Sequence, residues 1–187
     1  ILLSGVIVGL FSLLLERGLF RPLKDEPLAT LIIGIGLMLG LEGVIQLIFG
    51  AREYPIVNPL PGAVMVLGAY VPKTRILIVI VSVIMITFLI LFLKKTKTGN
   101  AMRAVAQDPD AASLLGINVN VSRLLSFGIA SGLAGIAGGL MMTIAPATPM
   151  MGSNLIIKAF LAMIIGGMGS LYGAILGATA LAIIDSV

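Results

Sequence analysis

The sequence predicts an all-α membrane protein, a polytopic bundle of transmembrane helices with a broken helix pair near the C-terminus. Three observations predict it. Of the 187 residues, 59% are hydrophobic and only 11% charged, against about 25% charged in a soluble domain. The apolar residues gather into runs without an ionisable side chain, such as 76–93 and 124–145, each near the ~20 residues that cross a ~30 Å hydrocarbon core. None of these runs alternates with period two, so strands are not indicated, and helices are the other way to satisfy a backbone in lipid. One soluble helix can be this apolar, but several in succession would leave too little polar surface to cover them.

Five apolar blocks follow one another: Ile1–Leu15, Leu28–Phe49, Ile76–Leu93, Leu124–Ala145 and Leu155–Val187. The first opens without the basic stretch of a signal peptide and without an initiator Met, and the last stops without a polar tail, so the sequence reads as a fragment truncated at both ends. The connectors set the orientation. Segment 16–27 carries Arg17, Arg21 and Lys24, and 94–123 carries Lys94, Lys95, Lys97, Arg103 and Arg123; 50–75 carries Arg52, Lys73 and Arg75, and 146–154 carries none. Eight basic residues against three place 16–27 and 94–123 in the cytoplasm by the positive-inside rule, with 50–75 and 146–154 outside. Segment 50–75, with Pro55, Pro59, Pro61, Gly62 and Pro72, reads as an outward loop with a short apolar hairpin over Ala63–Val71.

The last block is too long for one crossing, because a straight helix of its length would run about 50 Å. Gly166, Gly167 and Gly169 sit in its middle. A short helix near 155–165, a turn and a longer helix from about 170 are expected. Irregular backbone at membrane depth survives where protein buries it or where it lines a watery cavity. The break is therefore a candidate gate, or else a tight turn between packed helices. Small residues repeat on helical faces elsewhere: Gly128, Gly132, Gly135 and Gly139; Gly36, Gly40 and Gly43; and Gly166, Ser170, Gly173 and Gly177. Such stripes let helix backbones approach, which indicates a packed bundle without indicating a function.

The absence of Cys and His removes disulfides, thiolate nucleophiles, imidazole bases and the commonest metal ligands. The net charge of +4 reads as loop charge holding orientation, and without Trp no stacking platform for nucleic acid is indicated. No Gly-x-x-x-x-Gly-Lys-Ser/Thr loop is present, so ATP is not bound by that route.

The connector 94–123 is the informative part. Residues 100–107 favour a short helix. Asp108 is a natural N-cap, with Pro109 at the first helical position and Asp110 in the first turn. Ala111 to Leu115 continue the helix, and Gly116 supplies a left-handed stop. Two capped helices are more structure than a plain connector needs, and suit a docking surface for a cytosolic partner.

Asp110-Ala111-Ala112-x-x-x-Gly116 resembles the Glu-Ala-Ala-x-x-x-Gly core of ABC importer permeases, with Asp in place of Glu. More closely, 99–118, 151–160 and 166–177 resemble the permease subunits of branched-chain amino acid importers, within the wider branched-chain amino acid, urea and ribose type. Their Arg-Ala-Val-Ala-Gln-Asp, Leu-Leu-Gly-Ile-Asn, Lys-Ala-Phe and Gly-Gly-x-Gly-Ser stretches occur here in order. Glu16-Arg17 with Arg21-Pro22-Leu23 is similar to the family's early cytoplasmic loop. The Ile-x-Leu-Pro tail of the general motif is absent after Gly116, and the family's proteins are longer at both ends.

The resemblance implies a single transmembrane permease domain over 1–187 in the cell (inner) membrane, with 94–123 as its cytoplasmic coupling loop. Arg103, Asp108, Asp110, Ala111, Ala112 and Gly116 would meet the ATPase. It also implies cytosolic ABC ATPase subunits, a second homologous permease subunit and an extracytoplasmic substrate-binding protein. The chain would not be an enzyme and would bind no cofactor, since ATP and magnesium belong to the ATPase. The cargo would be a branched-chain or other hydrophobic amino acid; urea, short amides and other small solutes use similar permeases.

Ionisable residues inside the apolar blocks are functional candidates by default. Glu42 is one, with an interface-facing or protonated carboxyl bonded to Gln46 as the plainer alternative. Lys158 is another, with snorkelling to the interface as its alternative. Asp185 marks the far interface. Glu42, Lys158, Gly166, Gly167 and Gly169 together outline a candidate translocation path. A secondary carrier would keep several acids or polar clusters at midplane, whereas only Glu42 qualifies. An intramembrane enzyme would need a paired-Asp or Ser–Lys site, which no spacing here supplies.

Overall fold

The computed structural model describes residues 1–23, 27–50, 52–55, 62–66, 69–167 and 169–186. Lys24, Pro59, Pro61 and the last residue of the fifth block lie outside the described residues, as does the tip of the hairpin. Helices α1 (Leu2–Leu15), α2 (Pro27–Phe49), α3 (Lys73–Lys95), α4 (Lys97–Gln107), α5 (Pro109–Leu114), α6 (Val119–Met141), α7 (Met151–Gly166) and α8 (Leu171–Ser186) account for most of them. Strands β1 (Ala63–Val66) and β2 (Ala69–Pro72) pair antiparallel, Val64 opposite Val71, as the expected hairpin. Among the described residues, four helical stretches are long and apolar enough to cross a membrane: Leu2–Phe20, Leu28–Phe49, Lys73–Lys95 and Val119–Met141. The α7–α8 pair, bent by 119°, is a fifth crossing or a re-entrant loop. The architecture is the expected one, a polytopic membrane helix bundle with a broken pair near the C-terminus.

The chain divides into two compact units, 1–30 with 55–146 and 31–54 with 147–187. In the first unit the main seam joins α1 to α6. The Gly128 stripe makes it: a side chain at Gly135 would stand 2.8 Å from Val8 Cβ and 3.1 Å from Gly5 Cα, and Gly139 faces Ser4 and Ile1. The Ser4 hydroxyl donates to the Gly135 carbonyl across the seam (3.0 Å). Gly5 and Gly9 supply the facing small residues of α1, so backbone meets backbone, as association in lipid requires.

The ends of the elements differ from the apolar blocks for physical reasons. α1 runs on through a π-helical turn, Glu16–Phe20, and a 3₁₀ turn, Arg21–Leu23, so most of the expected connector 16–27 is helical. α3 extends past its apolar run at both ends, taking in Lys73 and Arg75 at one and Lys94 and Lys95 at the other, because long basic side chains can reach the interface from a helix still in the membrane. α6 starts at Val119 rather than 124, since the Asn118 side chain accepts from the Val121 N–H (3.1 Å) and caps it; it stops at Met141, where turns through Ala145 take over.

The second unit holds most of α2 with α7 and α8. Tyr54 and Ala147 exchange two backbone hydrogen bonds (3.1 and 3.2 Å), and the Tyr54 hydroxyl donates to the Phe49 carbonyl (2.9 Å). The broken pair corrects the expected unequal arms, since each helix has 16 residues. At about 24 Å each, neither arm spans a ~30 Å core alone. Gly166 does not share a helical face with Gly173 and Gly177. It ends α7, and they sit on α8, where side chains would strike the backbone of the other arm. Ser170 caps α8, its hydroxyl accepting from the Gly173 N–H (3.0 Å).

Much apolar surface stays uncovered within the chain. No residue in the most apolar stretch of α2 or of α3 is buried. A side chain at Gly36, Gly40 or Gly43 would meet no atom within 4 Å among the described residues. Among the described residues nothing lies against that stripe, although its spacing matches the Gly128 stripe.

Candidate functional site

The site has two parts, one in each unit. In the first unit the corner between α3 and α4 is built by Thr96, whose hydroxyl donates to the Phe92 carbonyl (2.7 Å) and accepts from the Gly99 N–H (2.9 Å). Gly99 packs so closely on the end of α3 that a side chain there would lie 2.6 Å from Leu93 Cα. Met102 and Val105 turn inward from α4, and Arg103 stays exposed. Asp108 then caps α5, its Oδ1 accepting from the Asp110 and Ala111 N–H groups (2.9 and 3.0 Å). Pro109 opens the helix, where its missing N–H costs nothing. At the far end the Gly116 N–H reaches the Ser113 carbonyl and the Ile117 N–H the Ala112 carbonyl. Gly116 has φ +80°. This is a Schellman stop, which needs the left-handed conformation that glycine adopts cheaply.

The predicted coupling residues thus sort by position. Arg103, Asp110 and Ala111 are exposed, whereas Ala112 is only 2% exposed and packs inside. Asp108 and Gly116 shape the ends of α5. Sequence reasoning passed over the most prominent apolar groups, Leu114 and Leu115, which are 89% and 80% exposed. Their signal was two leucines in a short capped helix with nothing local to cover them. Within this unit the α4–α5 pair lies against α6, and the turn after α1 lies there too. Glu16, Arg17 and Arg21 share a cleft with Asn118 and Asn120, and the Phe20 and Phe127 rings meet at 5.1 Å. The basic connectors therefore share one end of the α1–α6 pair. A cleft of about 380 Å³ between Pro72–Arg75 and Met142–Pro146 marks the other end.

In the second unit Glu42, from the middle of α2, is met by the start of α7. Its Oε1 accepts from the Ser153 N–H (3.2 Å) and, in a short contact, from the Ser153 hydroxyl. The partner is Ser153 rather than Gln46. Met150, at the N-cap position of α7, gives no side-chain cap, so Glu42 supplies from another helix the acceptor for the open Ser153 N–H. Lys158 pairs with Asp185 at 2.5 Å. Asp185 is therefore not a far-interface marker, because the bend brings α8 back beside α7. Glu42 and Lys158 have separate partners and form no shared cluster. Gly167 and Gly169 have open space around them and φ of +83° and +91°. These two make the turn itself, while Gly166 permits the close approach of the arms.

All 187 residues match the family described as branched-chain amino acid transport system / permease component. The chain belongs to this family. It is 33% identical over 190 aligned positions to the high-affinity branched-chain amino acid transport system permease protein BraD of Pseudomonas aeruginosa, covering 98% of this chain and 62% of that protein. It is 31% identical to the permease protein LivH of the corresponding high-affinity system of Escherichia coli K12, covering 97% and 61%. It is 37% identical to a probable branched-chain amino acid transport permease protein LivH of Methanocaldococcus jannaschii, covering 57% and 34%. The chain thus spans about six-tenths of the length of the first two relatives. No solved structure matches it. As a member of this permease family with its run of apolar helices, it is a multi-pass membrane protein.

Proposed function

We propose that this chain is the membrane-spanning permease subunit of an ABC importer that carries branched-chain or other hydrophobic amino acids inward, driven by ATP hydrolysed on separate cytosolic subunits. The observation that carries the reading is the doubly capped α4–α5 pair at the basic end of a permease-family chain. The positive-inside rule puts that end in the cytoplasm, and 50–75 and 146–154 outside. Leu114 and Leu115 are the apolar contacts for an ATPase groove, with Arg103, Asp110 and Ala111 beside them. Asp108, Ala112 and Gly116 hold α5 in shape. A second homologous permease subunit covers apolar faces this chain leaves open, the Gly36–Gly40 stripe among them, with lipid around the pair. An extracytoplasmic binding protein delivers the cargo. Gly167 and Gly169 let the α7 and α8 arms pivot as the gate, with Glu42 holding the start of α7.

The test is reconstitution of the full-length permease with its own ATPase, partner permease and binding protein in lipid vesicles. Glu at both Leu114 and Leu115 should lower ATP-driven leucine uptake at least tenfold without loss of the membrane-embedded subunit. Unchanged uptake, or failure of a cysteine at Ala111 to crosslink to the ATPase, would sink the coupling assignment.

A further inference from the structure

Lys158 was placed on the candidate translocation path by its position alone, and its pairing with Asp185 has been given no role so far. Lys158 is the sole charged side chain of α7 and Asp185 that of α8. They stand 2.5 Å apart, yet their side chains are 51% and 60% exposed within the chain. Their neighbours Ile157, Ile183 and Ile184 are exposed and apolar. The fold of the hairpin does not need these charges, because the arms already close on Gly166, Gly173, Gly177 and Ala162. An ion pair in apolar surroundings is often matched or bettered in stability by apolar residues of similar size. Charged side chains on membrane helices otherwise mark the route of a polar or charged cargo.

Resting on the importer reading above, we infer that Lys158 and Asp185 form a two-point recognition element for a zwitterionic α-amino acid. Lys158 takes the substrate carboxylate and Asp185 the substrate ammonium, with the apolar side chain of the substrate left toward the surrounding isoleucines. Each charge is then the other's stand-in partner while the site is empty. Neither side chain is enclosed by the chain, so the pair can be exchanged for two substrate pairs that replace the attraction it gives up. Gly167 and Gly169, at positive φ, allow the arms to part. A neutral solute offers no charge in exchange for the pair it would have to break, so the element selects for zwitterions.

The competing explanation is a latch that only holds the arms together, and charge exchange separates the two. In the reconstituted full-length importer, Lys158→Gln, Asp185→Asn, the pair of these together, and the exchange of Lys158→Asp with Asp185→Lys are compared by yield of assembled complex and by leucine uptake. A reader of zwitterions is directional: the exchanged pair binds leucine reversed, with its side chain pointing the wrong way. The expected result is wild-type assembly of the double neutral and exchanged variants, with at least a tenfold loss of uptake in both. The double neutral variant leaves no lone charge, so it keeps the question answerable if a single substitution does not fold. Recovery of uptake to within twofold of wild type by the exchanged pair would establish the latch and overturn the inference, as would unimpaired uptake by the double neutral variant. Wild-type importer that hydrolyses ATP but moves a neutral solute and no amino acid would instead overturn the substrate reading on which the inference stands.

Discussion

Replacing Gly135 by Ala places one methyl group into the α1–α6 seam, 2.8 Å from Val8 Cβ, 3.0 Å from the Ser4 carbonyl and 3.1 Å from Gly5 Cα. Two of these three neighbours are backbone atoms, so no rotamer change clears the space. Three residues along the same helix, a side chain at Gly138 meets nothing within 4 Å. Both substitutions remove a helical glycine, which by itself favours the helix by up to ~1 kcal/mol. That gain cancels when the two variants are compared, leaving the overpacking cost of about 1–3 kcal/mol. Gly132→Ala should lie near Gly138→Ala, since its nearest neighbour is the Gly5 carbonyl at 3.4 Å, an ordinary contact. The comparison is made on the full-length permease in detergent micelles, by titrating helix loss with a denaturing detergent. Gly135→Ala should unfold earlier than Gly138→Ala by a free energy in that range. Equal stabilities would refute a backbone-close seam between α1 and α6.

Other perturbations follow from the caps and turns. Asp108→Ala removes the acceptor for two N–H groups of α5 and should cost about 1 kcal/mol, read as faster proteolysis of 107–117 in open vesicles; Asp108→Asn should be close to wild type. Gly116→Val forces a branched residue to φ +80°, at ~1–3 kcal/mol, and should lower ATP-coupled uptake while far-UV helix content holds. Ala112→Arg should disorder α5 rather than present a new surface charge, because Ala112 is buried; the check is whether it gains protease sensitivity along with its loss of coupling. Glu42→Ala should weaken the second unit by about 1–3 kcal/mol, the cost of leaving the Ser153 donors without an acceptor, while Glu42→Gln keeps an acceptor and should lose less, measured by thermal aggregation in detergent.

What could be read in the sequence was what is local. Asp108, Pro109 and Gly116 announce their roles because a cap or a left-handed stop is decided within a few residues. The five apolar blocks are legible because lipid leaves the backbone few options. The Gly166–Ser170 break was visible in the excess length, although the equal arms were not. α7 starts at Met151, ahead of its apolar run, because Glu42 serves its first turn from 111 positions away. Lys158 and Asp185 are 27 apart in sequence, and nothing but the bend between them makes them neighbours. The glycine stripes teach the sharpest limit. Gly128 to Gly139 and Gly36 to Gly43 share a spacing, yet α1 covers the first and no described residue covers the second. Spacing gives the shape of a face and leaves open what lies against it.

The caps at Thr96, Asp108 and Asn118 stand at successive corners between α3 and α6, with the Schellman stop between the last two. A connector of free loop would absorb a push as slack. This one has its corners clamped, so it behaves as a stiff linkage with little play. Were α5 displaced, little slack would lie between it and the foot of α6, and the shared seam ties α6 to α1. Mechanical economy of this kind favours a short piece with small residues at its contacts: leverage depends on how little the parts give, and Gly99 and Ala112 are packed where a larger side chain would act as a shim.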